Sequence, residues 1–97
     1  MTSRLIRVKV KPGLEGEFEA HMAAFIENVE ANEPDPKTFE VRRLREEPGA
    51  YIIFQVFADD AAYDRYANSD YHIAASPKGL AMLDGDPISE FLDDIDG

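Results

Sequence analysis

The chain opens on an alternation: Ile6, Val8 and Val10 share one parity over residues 5–11, and Arg7, Lys9 and Lys11 share the other. A period of two belongs to a strand with one buried face, and Pro12-Gly13 ends it. The period then lengthens. Leu14, Phe18, Met22, Phe25, Ile26 and Val29 recur mostly at spacings of three and four, which predicts an amphipathic helix over 14–31. Glu15, Glu17 and Glu19 in its first turns suit the positive end of the helix dipole, and Pro34 and Pro36 stop it. Residues 38–45 read as a second strand, with Phe39 and Val41 set against Glu40 and Arg42, and Pro48-Gly49 is a turn dipeptide. Residues 50–57 are apolar on both parities (Tyr51, Ile53 and Phe57; Ile52, Phe54 and Val56), which predicts a strand covered on both faces.

Asp59 is a good N-cap for a helix through about Asn68. A second helical stretch runs from about Tyr71 to Leu83, with an interruption expected near Pro77 to Gly79. Gly85 and Pro87 bracket a turn, and Ile88 to Ile95 carry the weakest strand pattern. The order is β-α-β-β-α-β, an α+β, ferredoxin-like plan with an antiparallel sheet, in one domain spanning residues 1–97. Helices in this plan cover one face of the sheet. Because residues 51–57 are apolar on both, the open face needs another partner. A second copy is the simplest one, giving a homodimer in which two sheets form a dimeric α+β barrel.

Composition narrows the chemistry. The chain has no Cys, so disulfides, thiolate catalysis, iron–sulfur clusters and cysteine zinc sites are excluded. No apolar run approaches the roughly 18 residues needed to cross a bilayer, and no unbroken apolar stretch marks a signal peptide, so no membrane partner and a cytoplasmic location are expected. The net charge of −10 repels phosphate backbones and argues against a nucleic-acid partner. That charge is lopsided: residues 1–45 hold eight basic and eight acidic side chains, residues 46–97 two basic and twelve acidic. Solubility is the plain explanation.

Several segments together resemble the antibiotic-biosynthesis-monooxygenase family over nearly the full length. They are Val8-Lys9-Val10-Lys11-Pro12-Gly13, Glu33-Pro34, Phe54-Gln55-Val56-Phe57-Ala58-Asp59 and Tyr66-Ala67-Asn68-Ser69-Asp70-Tyr71-His72. The resemblance implies a homodimeric barrel with a pocket between helices and sheet, and a C-terminal strand that reaches over the partner. In such a dimer Glu90, Asp93 or Asp94 would meet Arg42, Arg43 or Arg45 across the interface. Relatives implied by the resemblance include oxygenases of polycyclic phenols and quinols that use neither metal nor flavin, haem-degrading proteins and isomerases. The chain has Gln55 where the family often has Glu, and Tyr66 where it often has His. The haem-degrading branch needs an Asn, a Trp and an axial His at positions that match Ile6, Tyr66 and Ser76, and the chain has no Trp at all; haem degradation is not expected.

Oxygenation without a cofactor requires a base, a dry apolar pocket and a donor that steadies the substrate anion. Of the two His residues, His72 follows Ser69 in the family's recurrent segment and is the candidate base, with Tyr66 as candidate donor to a substrate oxygen; boundary residues without chemistry are the plainer reading of both. His21, Met22, Phe25, Phe54 and Met82 are candidate lining for a small apolar or aromatic ligand, though such spacings also describe plain core. No His-x-x-x-His pair supports a metal, and Asp93, Asp94 and Asp96 lack the Gly and bidentate Glu of a calcium loop, so no metal or other cofactor is expected. The functional alternatives are a cofactor-independent monooxygenase on a phenol, quinol or polyketide-like aromatic, a non-catalytic ligand-binding or stress-associated barrel, and an isomerase of a small carbonyl metabolite.

Overall fold

Four antiparallel strands and three helices make up the computed structural model of the protein, which describes residues 1–32, 36 and 38–95. Glu33, Pro34 and Asp96 lie outside the described residues. In chain order the elements are β1 (Thr2–Lys9), α1 (Glu15–Asn32), β2 (Thr38–Arg43), β3 (Ala50–Phe57), α2 (Asp60–Ala67), α3 (Asp70–Ala81) and β4 (Ile88–Asp93). The sheet order is β2-β3-β1-β4. Each helical connection skips one strand, which is the ferredoxin-like α+β arrangement.

The two apolar strands sit in the middle. β1 and β3 pair along their whole lengths, from Thr2 opposite Phe57 to Lys9 opposite Ala50. Their junction with the β2–β3 turn depends on Gly49, whose φ of +82° disfavours a side chain and whose Cβ would stand 3.3 Å from the Val10 carbonyl. The Val10 N–H donates to the Gly49 carbonyl at 2.7 Å, so the turn is stitched to the end of β1.

Asp59 caps α2 by accepting from the Ala62 N–H at 2.8 Å, as the sequence predicts. Ser69 caps α3 in the same way, accepting from the His72 N–H at 3.4 Å. The expected break near Pro77 is absent: α3 runs through Pro77 and Gly79 without interruption. Proline removes one bond to the carbonyl four residues back. That carbonyl belongs to Ile73, a residue 58% exposed, where water can replace the missing donor.

All three helices lie on the face that carries Ile6, Val8, Tyr51, Ile53 and Phe57. One buried cluster joins Ile6, Val8, Val10, Phe18, Tyr51, Ile53, Met82 and Leu83, and a second joins Phe25, Val29, Phe57, Ala62 and Tyr66. Phe18 and Tyr51 meet at 4.9 Å between ring centroids, and Glu19 accepts from the Tyr51 hydroxyl at 2.6 Å. The other face carries Leu5, Ile52, Phe54 and Val56, which the chain leaves half-buried with none of its helices over them.

β4 has no buried residue, yet it pairs with the outer edge of β1 from Thr2 opposite Asp93 to Arg7 opposite Ile88. The strand expected to reach away from its own body therefore completes its own sheet. The unpaired N–H and C=O groups of the β1 edge supply the reason. Within the chain, Arg43 pairs with Glu19 at 3.1 Å and Arg42 with Glu40 at 2.6 Å, while Asp94 takes the Met1 amino group. Among the described residues no helix is long and apolar enough to cross a membrane.

Candidate active site

Residues opposite each other in an antiparallel pair point to the same face. Gln55 lies opposite Phe39 on one side and Arg4 on the other, and Arg4 lies opposite Phe91. One rung across all four strands thus reads Phe39, Gln55, Arg4, Phe91 on the helix-covered face. Above the rung is a largely apolar cavity of about 480 Å³. Its walls include Ile6, Val8 and Ile53 from the sheet, His21, Met22 and Phe25 from α1, Tyr63 and Tyr66 from α2, and His72, Ser76 and Gly79 from α3.

The α3 cap sets the position of His72. Ser69 opens the helix, and His72 follows in its first turn, facing back toward α2. Its ring lies 4.7 Å from the Tyr66 ring and 6.0 Å from that of Phe25. Ser76, one turn on, brings its Oγ to 3.4 Å from His72 Nε2. Burial pulls the imidazole below its ordinary pKa, and the nearby Arg4 charge acts in the same direction; a hydrogen bond to the Ala67 carbonyl opposes them. Burial therefore favours the neutral imidazole, which carries one N–H and one nitrogen with a lone pair.

Tyr66 is 2% exposed, and burial pushes its hydroxyl well above the ordinary tyrosine pKa. It stays protonated across the physiological range. Gln55 Nε2 donates to the Tyr66 oxygen at 3.3 Å, which leaves the Tyr66 proton available to another acceptor. Gln55 itself is 1% exposed, and its Oε1 has no hydrogen-bond partner among the described residues. A buried acceptor without a partner costs on the order of 1–3 kcal/mol.

Among the described residues Arg4 is the one lining residue whose side chain is always charged. Its Nε donates to Ser89 Oγ at 2.9 Å, and its guanidinium carbon lies 5.5 Å from the Tyr63 ring and 5.7 Å from the Phe91 ring. These contacts hold the planar group without a carboxylate. Among the described residues Arg4 has no ion pair.

Of the residues nominated from sequence, His21, Met22, Phe25, Tyr66 and His72 come together on the cavity wall. Phe54 does not: its parity places it opposite Leu5 on the open face. Met82 is buried in the neighbouring core cluster, outside the lining, with its carbonyl accepting from the Lys11 N–H at 2.9 Å. Sequence reasoning passed over Arg4 and Gln55 as site residues. The signal was parity: Arg4 shares the register of Ile6 and Val8, and Gln55 that of Ile53 and Phe57, so both are polar at core-facing positions. Among the described residues no three His, Cys, Asp or Glu side chains gather as a metal site.

A sheet of this order with helices on one face and a cavity beneath them defines a ferredoxin-like α+β domain. The family profile described as antibiotic biosynthesis monooxygenase matches residues 1–78, and the chain belongs to that family. The fold is similar to that of a Caulobacter crescentus CB15 protein classed with the antibiotic biosynthesis monooxygenases, at 27% identity and a TM-score of 0.92, covering 98% of this chain and 90% of that one. It is also similar to a Bacteroides thetaiotaomicron VPI-5482 protein of the same description, at 24% identity, TM-score 0.80, with 96% and 86% covered. A conserved protein from Methanosarcina mazei Go1 shares the fold at 20% identity, TM-score 0.86, with 95% and 91% covered. Among curated proteins none matches the chain.

Proposed function

We propose that the protein is a homodimeric, cofactor-independent monooxygenase acting on a small phenol, quinol or polyketide-like aromatic. The observation that carries this reading is a neutral, half-buried His72 packed on the Tyr66 ring at the wall of an apolar cavity. His72 takes a proton from the substrate hydroxyl or an acidic C–H. Tyr66, kept protonated, donates to the oxygen on which negative charge develops. The electron-rich anion then reduces O₂. For a substrate methylene the balance is R₂CH₂ + O₂ → R₂C=O + H₂O, with one oxygen atom retained and the other released as water. The apolar walls lower the local polarity around the anion and the intermediates that follow.

The second copy covers the open face. Leu5, Ile52, Phe54 and Val56, with Leu92 and Ile88 from the edge strand, form an apolar surface that a monomer would leave in water. Oxygen uptake by chelator-treated, flavin-free protein against hydroquinones and anthrones tests the reading. Stoichiometric uptake abolished in His72→Ala supports it. No uptake with any of them, or uptake that His72→Ala leaves intact, removes it and favours a ligand-binding barrel.

A further inference from the structure

We infer that the cavity is built for an aromatic ligand carrying both an anionic group and a hydroxyl, a hydroxylated aromatic carboxylate in chemical class, held by Arg4 and Gln55. The inference rests on the cavity being a ligand site and adds what it selects. Two independent features of the rung support it. Gln55 is almost wholly buried and keeps an acceptor oxygen without a partner, and such an oxygen is satisfied by a ligand donor. Arg4, its cross-strand neighbour, is a cation at the wall of an apolar cavity in a chain of net charge −10, with no carboxylate lining that cavity among the described residues.

The geometry separates the two roles. Ser89 occupies Arg4 Nε, and the Tyr63 and Phe91 rings flank the guanidinium, so its remaining N–H groups are free for an anion. Directly paired side chains start about 5 Å apart at Cβ. A carboxylate and a hydroxyl at neighbouring-but-one ring positions span a similar distance. Phe39 at the other end of the rung and Phe25 above it, packed edge-to-face at 5.9 Å between ring centroids, together supply apolar surface against which a ligand ring can rest. A neutral phenol satisfies Gln55 alone, and a plain aromatic acid satisfies Arg4 alone.

The test is a titration of the full chain with 3-hydroxybenzoate, benzoate, 3-methoxybenzoate and 3-hydroxybenzyl alcohol, with neutral phenol and 1-naphthol as controls. Each polar contact is expected to contribute about ten-fold in affinity. The wild type should bind 3-hydroxybenzoate about ten-fold tighter than either the methoxy compound or the alcohol. Arg4→Met should erase the preference over the alcohol and keep the preference over the methoxy compound. Gln55→Leu should do the reverse. Because Gln55 is buried, Gln55→Glu guards against misfolding: it keeps an acceptor and the hydroxyl preference, while its charge weakens carboxylate binding. Equal binding of all four compounds, or a methoxy compound that binds as well as the hydroxyl one, overturns the inference alone if phenol and 1-naphthol still bind. If no aromatic compound binds, the ligand-site reading falls with it.

Discussion

The two faces of the sheet invert the usual distribution of polar and apolar groups in opposite ways. On the face covered by helices, Arg4 and Gln55 stand where the register calls for core residues. On the face without helices, Leu5, Ile52, Phe54 and Val56 stand where solvent would be. An amide buried without its full set of bonds and an apolar surface left uncovered both signal a missing molecule, and their chemistry says which. The inner face calls for something polar at one edge and apolar elsewhere. The outer face calls for a matching apolar surface, and the same face of a second chain is the nearest one.

The most direct way to break this comparison is a charge on the outer face. Phe54→Glu should turn the proposed dimer into a monomer by light scattering at micromolar concentration, because burying an unpaired carboxylate costs several kcal/mol, a hundred-fold or more in dissociation constant. The same variant should retain ligand affinity, since Phe54 is outside the cavity. A wild type that is monomeric at these concentrations would sink the outer-face reading.

On the inner face, His72→Ala should lower turnover about a hundred-fold or more, and His21→Ala much less. Comparable small losses from both would favour a binding role. Tyr66→Phe should come next, removing a donor to the developing anion at a cost of about ten-fold or more in kcat.

The pH dependence follows from the direction of the His72 shift. Its folded pKa lies below the ordinary histidine value of about 6.5, so the proposed base stays neutral to lower pH than an exposed histidine would. The acid limb of kcat/KM should therefore fall below 6.5, and a limb above that value would contradict the burial argument. Stability shares the sign. The unfolded chain binds the His72 proton first, so this contribution is complete above 6.5 and is lost as pH falls through the folded pKa.

The smallest expected effect lies between the two histidines. A Cβ on Gly79 would stand 3.4 Å from His21 Nε2. Gly79→Ala should gain up to about 1 kcal/mol of helix propensity in thermal unfolding while weakening ligand binding a few-fold, by nudging His21. A gain in stability with unchanged binding would show that His21 is only a packing residue.

Much of this was legible in the residue pattern because strands and helices differ in period. The dual apolarity of residues 50–57 predicts both the central place of β3 and the uncovered outer face. The turns at Gly13 and Gly49 fall where the Pro-Gly dipeptides place them, and Gly85 opens the turn it brackets with Pro87; all three glycines have positive φ. Pro77 misled because a rule about backbone bonds cannot see that the affected carbonyl lies on an exposed flank. Phe54 misled because an apolar strand residue can serve either face, and only register decides which. Arg4 was hidden among the basic residues of the N-terminus, although it shares the parity of Ile6 and Val8. β4 was the weakest pattern because none of its side chains is buried, so burial could not leave a period in the sequence.

That last property bears on motion. In a lone chain, a strand attached by its backbone ladder with little apolar anchorage should open in a sub-global event at far lower free energy than the central pair, and a second copy over Ile88 and Leu92 would narrow that gap. In native-state hydrogen exchange, amides of Ile88–Asp93 would lose protection while those of Ala50–Phe57 exchange only with global unfolding. Ser89 and Phe91 ride on this edge and hold the Arg4 guanidinium, so each opening frees that group from its clamp. The edge strand thus sets how often the cationic end of the cavity is loosened, and an occupant that engages Arg4 would slow that exchange from inside the sheet.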